Sequence, residues 1–438
     1  MQKESLMNMQ HLNNAGKLDL DFGNNGVMRI DVPGHPDIYI SSVGIGPDGK
    51  IYFAGTTTPF QGERLYLLGR CNSDGSMDNE FGNEGFVTGV IDGFDVTYCQ
   101  GFTFQADGKI LIAYRLRGDR VADGMGVARY DMSGQLDLEF GTNGRTLIDI
   151  QLSPLAAEAP PEEKSAIGSS GASASGIQAL ADGKILVFKS TGFNGRKTVG
   201  LIARLDKNGA LDLSFNQVGY VTFAHPDSLT YNTTLRSIMV QADGNYLGCG
   251  NVFSDAKRAG MFVRYDTTGK LDPTFGDGGF VMVEDAQSPR FNAMVQQSNQ
   301  RILGVGETPL RATGDSAAVM FSLERDGSPN IQFNGGKPLF TQLGEGAATA
   351  WLAAGIQKDG KAVTVGGLGE PNGEVDIALM RTIEGTLDPT FNDGQGWVTT
   401  HLESGVEVAT GMALQDDGKI LICADMPNRK GALLRYHG

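Results

Sequence analysis

Tryptophan, cysteine and histidine are scarce in this 438-residue sequence, at two, four and five residues. The cysteines (Cys71, Cys99, Cys249 and Cys423) lie far apart without metal-ligand spacing, and Cys249 and Cys423 sit in apolar, strand-like runs. They read as buried, reduced thiols. No apolar run approaches the roughly 18 residues that mark a membrane-spanning helix. Residues 1–16 lack the apolar stretch of a secretory signal, so the expected location is the cytoplasm, or outside the cell by a route without a cleavable signal. Positive charge is also short: 36 Lys and Arg face 51 Asp and Glu, a net charge of −15. That balance argues against nucleic acid and anionic lipid as partners and predicts a soluble chain. There is no Gly-x-Ser-x-Gly elbow, phosphate loop, HExxH or CxxC pattern, so no catalytic residue, metal or cofactor is assigned.

Glycine is abundant. There are 62 glycines, about twice the usual share of ~7%. Hydrophobic residues make up 40% of the chain, enough for a packed core. Length alone suggests two or three domains at about 150 residues each. Glycine without abundant proline or a three-residue period belongs instead in evenly spaced turns, which indicates an all-β repeat.

One segment recurs, reading GKLDLDFGNNG at Gly16–Gly26, GSMDNEFGNEG at Gly75–Gly85 and GQLDLEFGTNG at Gly134–Gly144. Further copies begin at Gly209, Gly269, Gly327 and Gly385. Their phenylalanines (Phe22, Phe81, Phe140, Phe215, Phe275, Phe333 and Phe391) are spaced by 59, 59, 75, 60, 58 and 58 residues. A second segment keeps the same beat: an Asp-Gly turn opening a β-rich run, as in Asp107-Gly108-Lys109-Ile110-Leu111 and Asp417-Gly418-Lys419-Ile420-Leu421. Asp-Gly between apolar runs predicts a hairpin with a type I′ turn. A third segment is an apolar strand ending in Arg, at Arg70, Arg129, Arg204, Arg264, Arg381 and Arg435.

Seven units of four short strands, with a period near 59, predict one seven-bladed β-propeller with four antiparallel strands per blade. The LDxxFGxxG and QxDGKIL segments resemble the delta-60 repeat family of bacterial β-propellers, over essentially the whole chain from Gly16 to Tyr436. The resemblance implies the fold and assigns no activity. Many members of that family look exported or surface-bound, whereas no leader is evident here.

By analogy with other propellers, the Asp-Gly turn joins inner strand A to strand B, strand C ends in the Arg, and outer strand D follows FGxxG. A strand D at Gly26–Ile30 would then close the ring beside the C-terminal strands A–C, removing open edges. Residues 1–15 form a leader and 16–438 a single domain. In a rival assignment Met7–Leu12 forms the last strand C, because His11 precedes Asp19 by eight. The Arg of strand C precedes the Asp of the next segment by eight in Arg70–Asp78, Arg129–Asp137, Arg204–Asp212 and Arg264–Asp272. Arg381–Asp388 keeps both residues, and Ser322 and Asn330 replace both in the fifth repeat. This covariation predicts a bidentate ion pair under each C–D connection, with Arg435–Asp19 across the termini.

The A–B and C–D connections repeat and are architectural. The B–C and D–A connections vary, lie on the opposite face, and are expected to bind. An insertion at 151–175, rich in Pro, Ala and Ser, is expected to be mobile rather than a lid. The B–C loops carry Arg115, Arg117, Arg120, Arg196, Lys197, Lys257, Arg258, Arg311, Arg429 and Lys430, a basic rim for a protein, glycan or small acidic ligand. His35, His225 and His401 each follow a strand D and join that candidate set. Five glutamines (Gln105, Gln241, Gln297, Gln357 and Gln415) end inner strands and are expected to satisfy backbone groups. The functional expectation is a monomeric, non-enzymatic binding propeller. The second reading is a metal-assisted hydrolase or lyase at the channel mouth.

Overall fold

The computed structural model describes residues 14–438 except 60–61, 92–93, 95, 119–120, 149, 151–174, 194–196, 227–230, 255–256 and 312. Its strands form seven antiparallel sheets, each a four-strand blade, and the sixth carries one extra short strand. In blade one, strands A to D are Asp37–Ile45, Ile51–Thr58, Leu65–Cys71 and Phe86–Gly89. The molecule is an all-β, seven-bladed propeller.

The ring closes as the termini predict. Val27–Ile30 is the outer strand of the last blade and pairs with Lys430–Tyr436, with Met28 opposite Leu433. The C-terminal strand therefore fills the place that the rival assignment gave to Met7–Leu12, which lie outside the described residues. Ile420–Met426 and Val408–Leu414 complete the sheet. Closure leaves the C-terminal strand Lys430–Tyr436 paired on both sides.

The Asp-Gly turns differ from the expected type I′. Gln105 N–H donates to Lys109 O at 2.8 Å and Gly108 N–H to Gln105 O at 2.9 Å. Gly108 has φ +86° and Asp107 is not among the positive-φ residues. This is a type I turn followed by a left-handed glycine, a three-residue loop. Asp107 favours it by accepting the Lys109 N–H on Oδ1 at 3.1 Å. Six of the A strands also bulge, as between Ile40 and Ser42. The bulge presses Tyr39 O toward strand B, where a Cβ on Gly55 would lie 1.9 Å from it. Only glycine fits there.

Apolar side chains fill the gaps between blades. Ile51, Phe53 and Leu67 of blade one meet Leu421, Cys423 and Leu433 of blade seven. All four cysteines are buried and free, and burial pushes the thiols of Cys71, Cys99 and Cys423 up to about 12. They stay protonated and are poor nucleophiles.

Candidate functional site

The two ends of the propeller are built differently. At the A–B/C–D end, one cluster repeats. Arg129 Nε donates to Asp137 Oδ2 at 2.8 Å, Arg204 to Asp212 at 2.8 Å, Arg264 to Asp272 at 2.7 Å and Arg381 to Asp388 at 2.7 Å. Arg70 Nε lies 2.7 Å from Asp78 Oδ2. Across the termini, Arg435 Nε donates to Asp19 Oδ2 at 2.7 Å. The expected bidentate fork is absent, because the other oxygen is engaged elsewhere. Asp212 Oδ1 accepts the Ser214 N–H at 3.0 Å and Asp272 Oδ1 the Thr274 N–H at 2.9 Å. The guanidinium Nη1 reaches the next blade instead, as from Arg129 to Lys207 O at 2.8 Å and from Arg264 to Arg325 O at 2.6 Å. Each of these six Arg side chains also lies over its repeat phenylalanine, with Arg435 4.6 Å from the Phe22 ring.

A lysine completes the cluster in five blades. Lys109 contacts Asp137 at 3.1 Å, Lys184 contacts Asp212 at 3.0 Å, Lys361 contacts Asp388 at 3.3 Å and Lys419 contacts Asp19 at 3.1 Å. Lys50 does the same for Asp78. Burial alone would raise these carboxyls, but the hydrogen bonds and cations outweigh it and hold Asp19, Asp78, Asp137, Asp212 and Asp388 below the usual range. The sequence signal for the lysine was its place after Asp-Gly, which reads first as hairpin chemistry. In blade five, Asn330 Nδ2 donates to Ser322 Oγ at 3.1 Å, and Arg301 turns to Glu324 at 3.0 Å. Arg301, Ser322, Asn330 and Phe333 line a small void there.

The glutamines stitch the same end. Gln105 donates to Gly183 O at 3.2 Å and Gln357 to Gly418 O at 3.0 Å, each in the next blade. The side-chain amide of buried Gln241 has no partner among the described residues.

Nearer the loop end, the sixth residue after the turn lysine position in strand B differs in every blade. It is Thr56, Arg115, Ser190, Asn251, Glu307, Gly367 and Asp425 in turn. Several of these side chains serve the bulge of the next blade. Thr56 Oγ1 accepts the Cys99 N–H at 3.0 Å, Ser190 Oγ the Leu235 N–H at 3.0 Å and Asp425 Oδ1 the Ile40 N–H at 3.1 Å. Burial pushes the Asp425 carboxyl up to about 7. Tyr39 and Tyr98 occupy equivalent strand A positions, opposite Thr56 and Arg115. Sequence reading missed this layer because its composition does not repeat.

The loop-face cations are mostly neutralised. Exposed Lys257 lies 2.5 Å from Glu284, Arg311 is 2.6 Å from Asp315 and 2.7 Å from Gln287, and Arg429 is 2.9 Å from Asp37. Arg258 lies 5.9 Å from the Phe253 ring and Arg115 is half-buried. Arg117 is within strand Ile110–Gly118, and Lys197 opens strand Lys197–Leu205. Lys430 opens the C-terminal strand. Arg120, Arg196 and most of the 151–175 insertion lie outside the described residues. A ring of uncompensated positive charge is not what these pairs form.

The three histidines have different surroundings. His35 is half-buried, which lowers its basicity, and the His225 ring packs 4.5 Å from Tyr231. Among the described residues, His401 joins a cluster of possible ligands with Asp376 and Glu407, whose ligand atoms all lie within 4.8 Å of one another. Its Nδ1 is 2.8 Å from Asp376 Oδ1, and that hydrogen bond raises its basicity. The D–A loop is clipped onto the start of strand C of blade six, Val375–Ile383, by Val375 N–H to Gly405 O at 3.0 Å and Glu407 N–H to Val375 O at 2.8 Å. This brings Glu407 beside Asp376. Glu407 is fully buried, accepts the N–H groups of Leu402 at 2.8 Å and Glu403 at 2.6 Å, and is raised by its burial. No local motif joins residues 25 to 31 positions apart, so sequence reading isolated His401 alone.

A β-propeller family model matches the chain twice. Its description is a domain of unknown function, DUF5122 beta-propeller, and it covers residues 46–81 and 180–215. Each match runs from an A–B turn to the repeat phenylalanine. Comparison with curated protein sequences gives no match. Among solved structures, Drosophila semaphorin 1a, extracellular domains 1–2, is similar at TM-score 0.50 and 10% identity, over 94% of this chain and 88% of that one. Polysaccharide lyase Uly1 is similar at TM-score 0.48 and 10% identity, over 94% and 92%. The Fusarium graminearum α-L-arabinofuranosidase Arb93A gives TM-score 0.45 and 9% identity, over 82% and 97%. At these identities the likeness is one of fold. Among the described residues, no helix is long and apolar enough to cross a membrane.

Proposed function

We propose that this chain is a non-enzymatic recognition propeller of the delta-60 type, a single domain over 16–438, that captures a glycan or protein on its B–C/D–A face. The observation that supports this reading is the contrast between the two ends. Repeated charged residues are spent at one end on fixed Arg–Asp–Lys clusters, whereas in the layer under the opposite face one equivalent position is occupied by Thr56, Arg115, Ser190, Asn251, Glu307, Gly367 and Asp425, all buried or half-buried. Three of them meet the same demand, a backbone N–H at the bulge of the next blade, with different side chains, so this layer diverges blade by blade as the loops above it do, which is the pattern of a binding face. The paired state of Lys257, Arg311 and Arg429 favours a hydroxyl-rich or mixed-charge surface over a small anion.

A thermal-shift screen of neutral oligosaccharides and small organic acids tests this reading, with Arg429→Ala and Lys257→Ala/Arg258→Ala on the loop face and exposed Lys358→Ala on the opposite face as control. Stabilisation by an oligosaccharide that the loop-face variants weaken at least tenfold supports it. Stabilisation by small acids alone, or equal loss in the control, overturns it. Release of reducing ends or unsaturated sugars during the screen would favour the hydrolase or lyase reading.

A further inference from the structure

We propose that Asp376, His401 and Glu407 form a site for one divalent transition-metal cation, with Zn²⁺ the best match, between blades six and seven on the loop face. The site is independent of whichever ligand that face captures. The three ligand atoms lie within 4.8 Å of one another. Around a bound ion, N and O ligands stand about 2.0–2.2 Å from the metal, so neighbouring ligand atoms lie roughly 3–4 Å apart. Closing the cluster takes small side-chain adjustments. The Asp376–His401 hydrogen bond would give way to two bonds to the ion.

Charge balance supplies the second, independent argument. At the repeated end of the fold, buried carboxylates meet cations: Asp19 has both Arg435 at 2.7 Å and Lys419 at 3.1 Å. In this cluster Glu407 is fully buried and, among the described residues, receives backbone N–H groups and the nearby imidazole. Among the described residues Asp376, its side chain 17% exposed, pairs with His401, and Glu374 beside them accepts the Gly405 N–H. Among the described residues, no lysine or arginine pairs with Asp376, Glu374 or Glu407. A dipositive ion would neutralise what one imidazole cannot.

The scaffold also resembles a built site. Glu407 is oriented by the Leu402 and Glu403 N–H groups, the kind of outer support that fixes ligating carboxylates. The exposed side of His401 leaves coordination positions open to solvent. One nitrogen and two oxygens suit Zn²⁺ or Mn²⁺ better than Ca²⁺, which takes six to eight oxygens.

The test is isothermal titration of chelator-treated full-length protein with ZnCl₂, MnCl₂ and CaCl₂, alongside the visible absorption of Co²⁺ added to the same protein. One equivalent of Zn²⁺ should bind at micromolar affinity or tighter, with Ca²⁺ at least tenfold weaker. His401→Ala and Asp376→Asn should each weaken Zn²⁺ at least tenfold and abolish the Co²⁺ bands, while His35→Ala and His225→Ala leave both unchanged. Because Glu407→Gln could loosen its loop, the two more exposed ligands decide the matter. Absence of saturable Zn²⁺ binding overturns the proposal, as does affinity within threefold of the parent in His401→Ala.

Discussion

Replacing Arg435 tests how the ring is held shut. Its guanidinium is 5% exposed and Asp19 2% exposed. It donates to Asp19 at 2.7 Å and to Ser73 O in blade one, and it covers Phe22 at 4.6 Å. Arg435→Ala leaves Asp19 with Lys419 at 3.1 Å and more distant His437 at 3.8 Å, and it orphans a carbonyl across the closing seam. Breaking a buried pair by removing one partner costs about 3–5 kcal/mol. At roughly 2.1 cal/mol/K per residue, a chain of this length unfolds with an entropy near 0.9 kcal/mol/K, so that loss corresponds to a Tm fall of about 4 °C. The seam should open locally first. Hydrogen exchange of Val27–Ile30 should accelerate in Arg435→Ala and not in Arg264→Ala, which removes the same contacts three blades away. Adding Asp19→Ala should cost less than the sum of the single changes, because the two side chains share one contact that either change alone already removes. Additive losses below 1 kcal/mol each, with unchanged exchange at Val27–Ile30, would refute the reasoning.

Two further outcomes follow from particular side chains. Asp425 has a folded pKa of about 7 against about 3.9 unfolded, so the folded state holds the extra proton between these values. Stability is therefore lost as pH rises from about 4 to 7, and Asp425→Asn, which can still accept the Ile40 N–H, should melt above the parent at pH 8 and level with it near pH 4. Differential scanning calorimetry at the two pH values checks this; an equal gap at both would show that charge is not the cause. In blade five, Ser322→Arg together with Asn330→Asp should rebuild the missing cluster over Phe333, with Arg301 in the lysine position. Urea unfolding should show a gain of about 1–2 kcal/mol for the pair and a loss for Ser322→Arg alone, which buries an unpaired charge. A pair no better than the single change would refute the equivalence of the blades.

The blade plan was legible because its determinants are local and repeated. Gly75 shows why. Its φ is +85°, and a Cβ there would approach Phe22 of the preceding blade to 2.9 Å, so each copy keeps glycine three residues before its Asp or Asn position and phenylalanine three residues after it. Sharing of Arg and Asp was legible by their joint loss at Ser322 and Asn330. The monodentate geometry was not, since the claim of the Ser214 and Thr274 N–H groups on the second oxygen appears only in the folded turn. The type I turn was missed for a similar reason: Asp-Gly suits both turns, and the loop length that decides between them depends on where the ladder stops. The Asp376–His401–Glu407 cluster was illegible because its members come from two blades and are joined by register, through the Val375–Val406 bridge.

Where charge is placed links these observations. The chain carries a net −15, yet the repeated end pairs carboxylates with arginine in six blades and with lysine in five of them. Lys257, Arg311 and Arg429 on the other face are matched by Glu284, Asp315 and Asp37. Negative charge without a cationic side chain then becomes informative, since burial makes it costly unless something neutralises it. Asp425 meets that cost by holding its proton to about pH 7. Glu407 shares one imidazole with Asp376. Both groups lie in the half of the fold nearer the variable loops and neither belongs to the repeat, so the positions that depart from the seven-fold pattern are also those where the folded chain leaves chemistry unfinished.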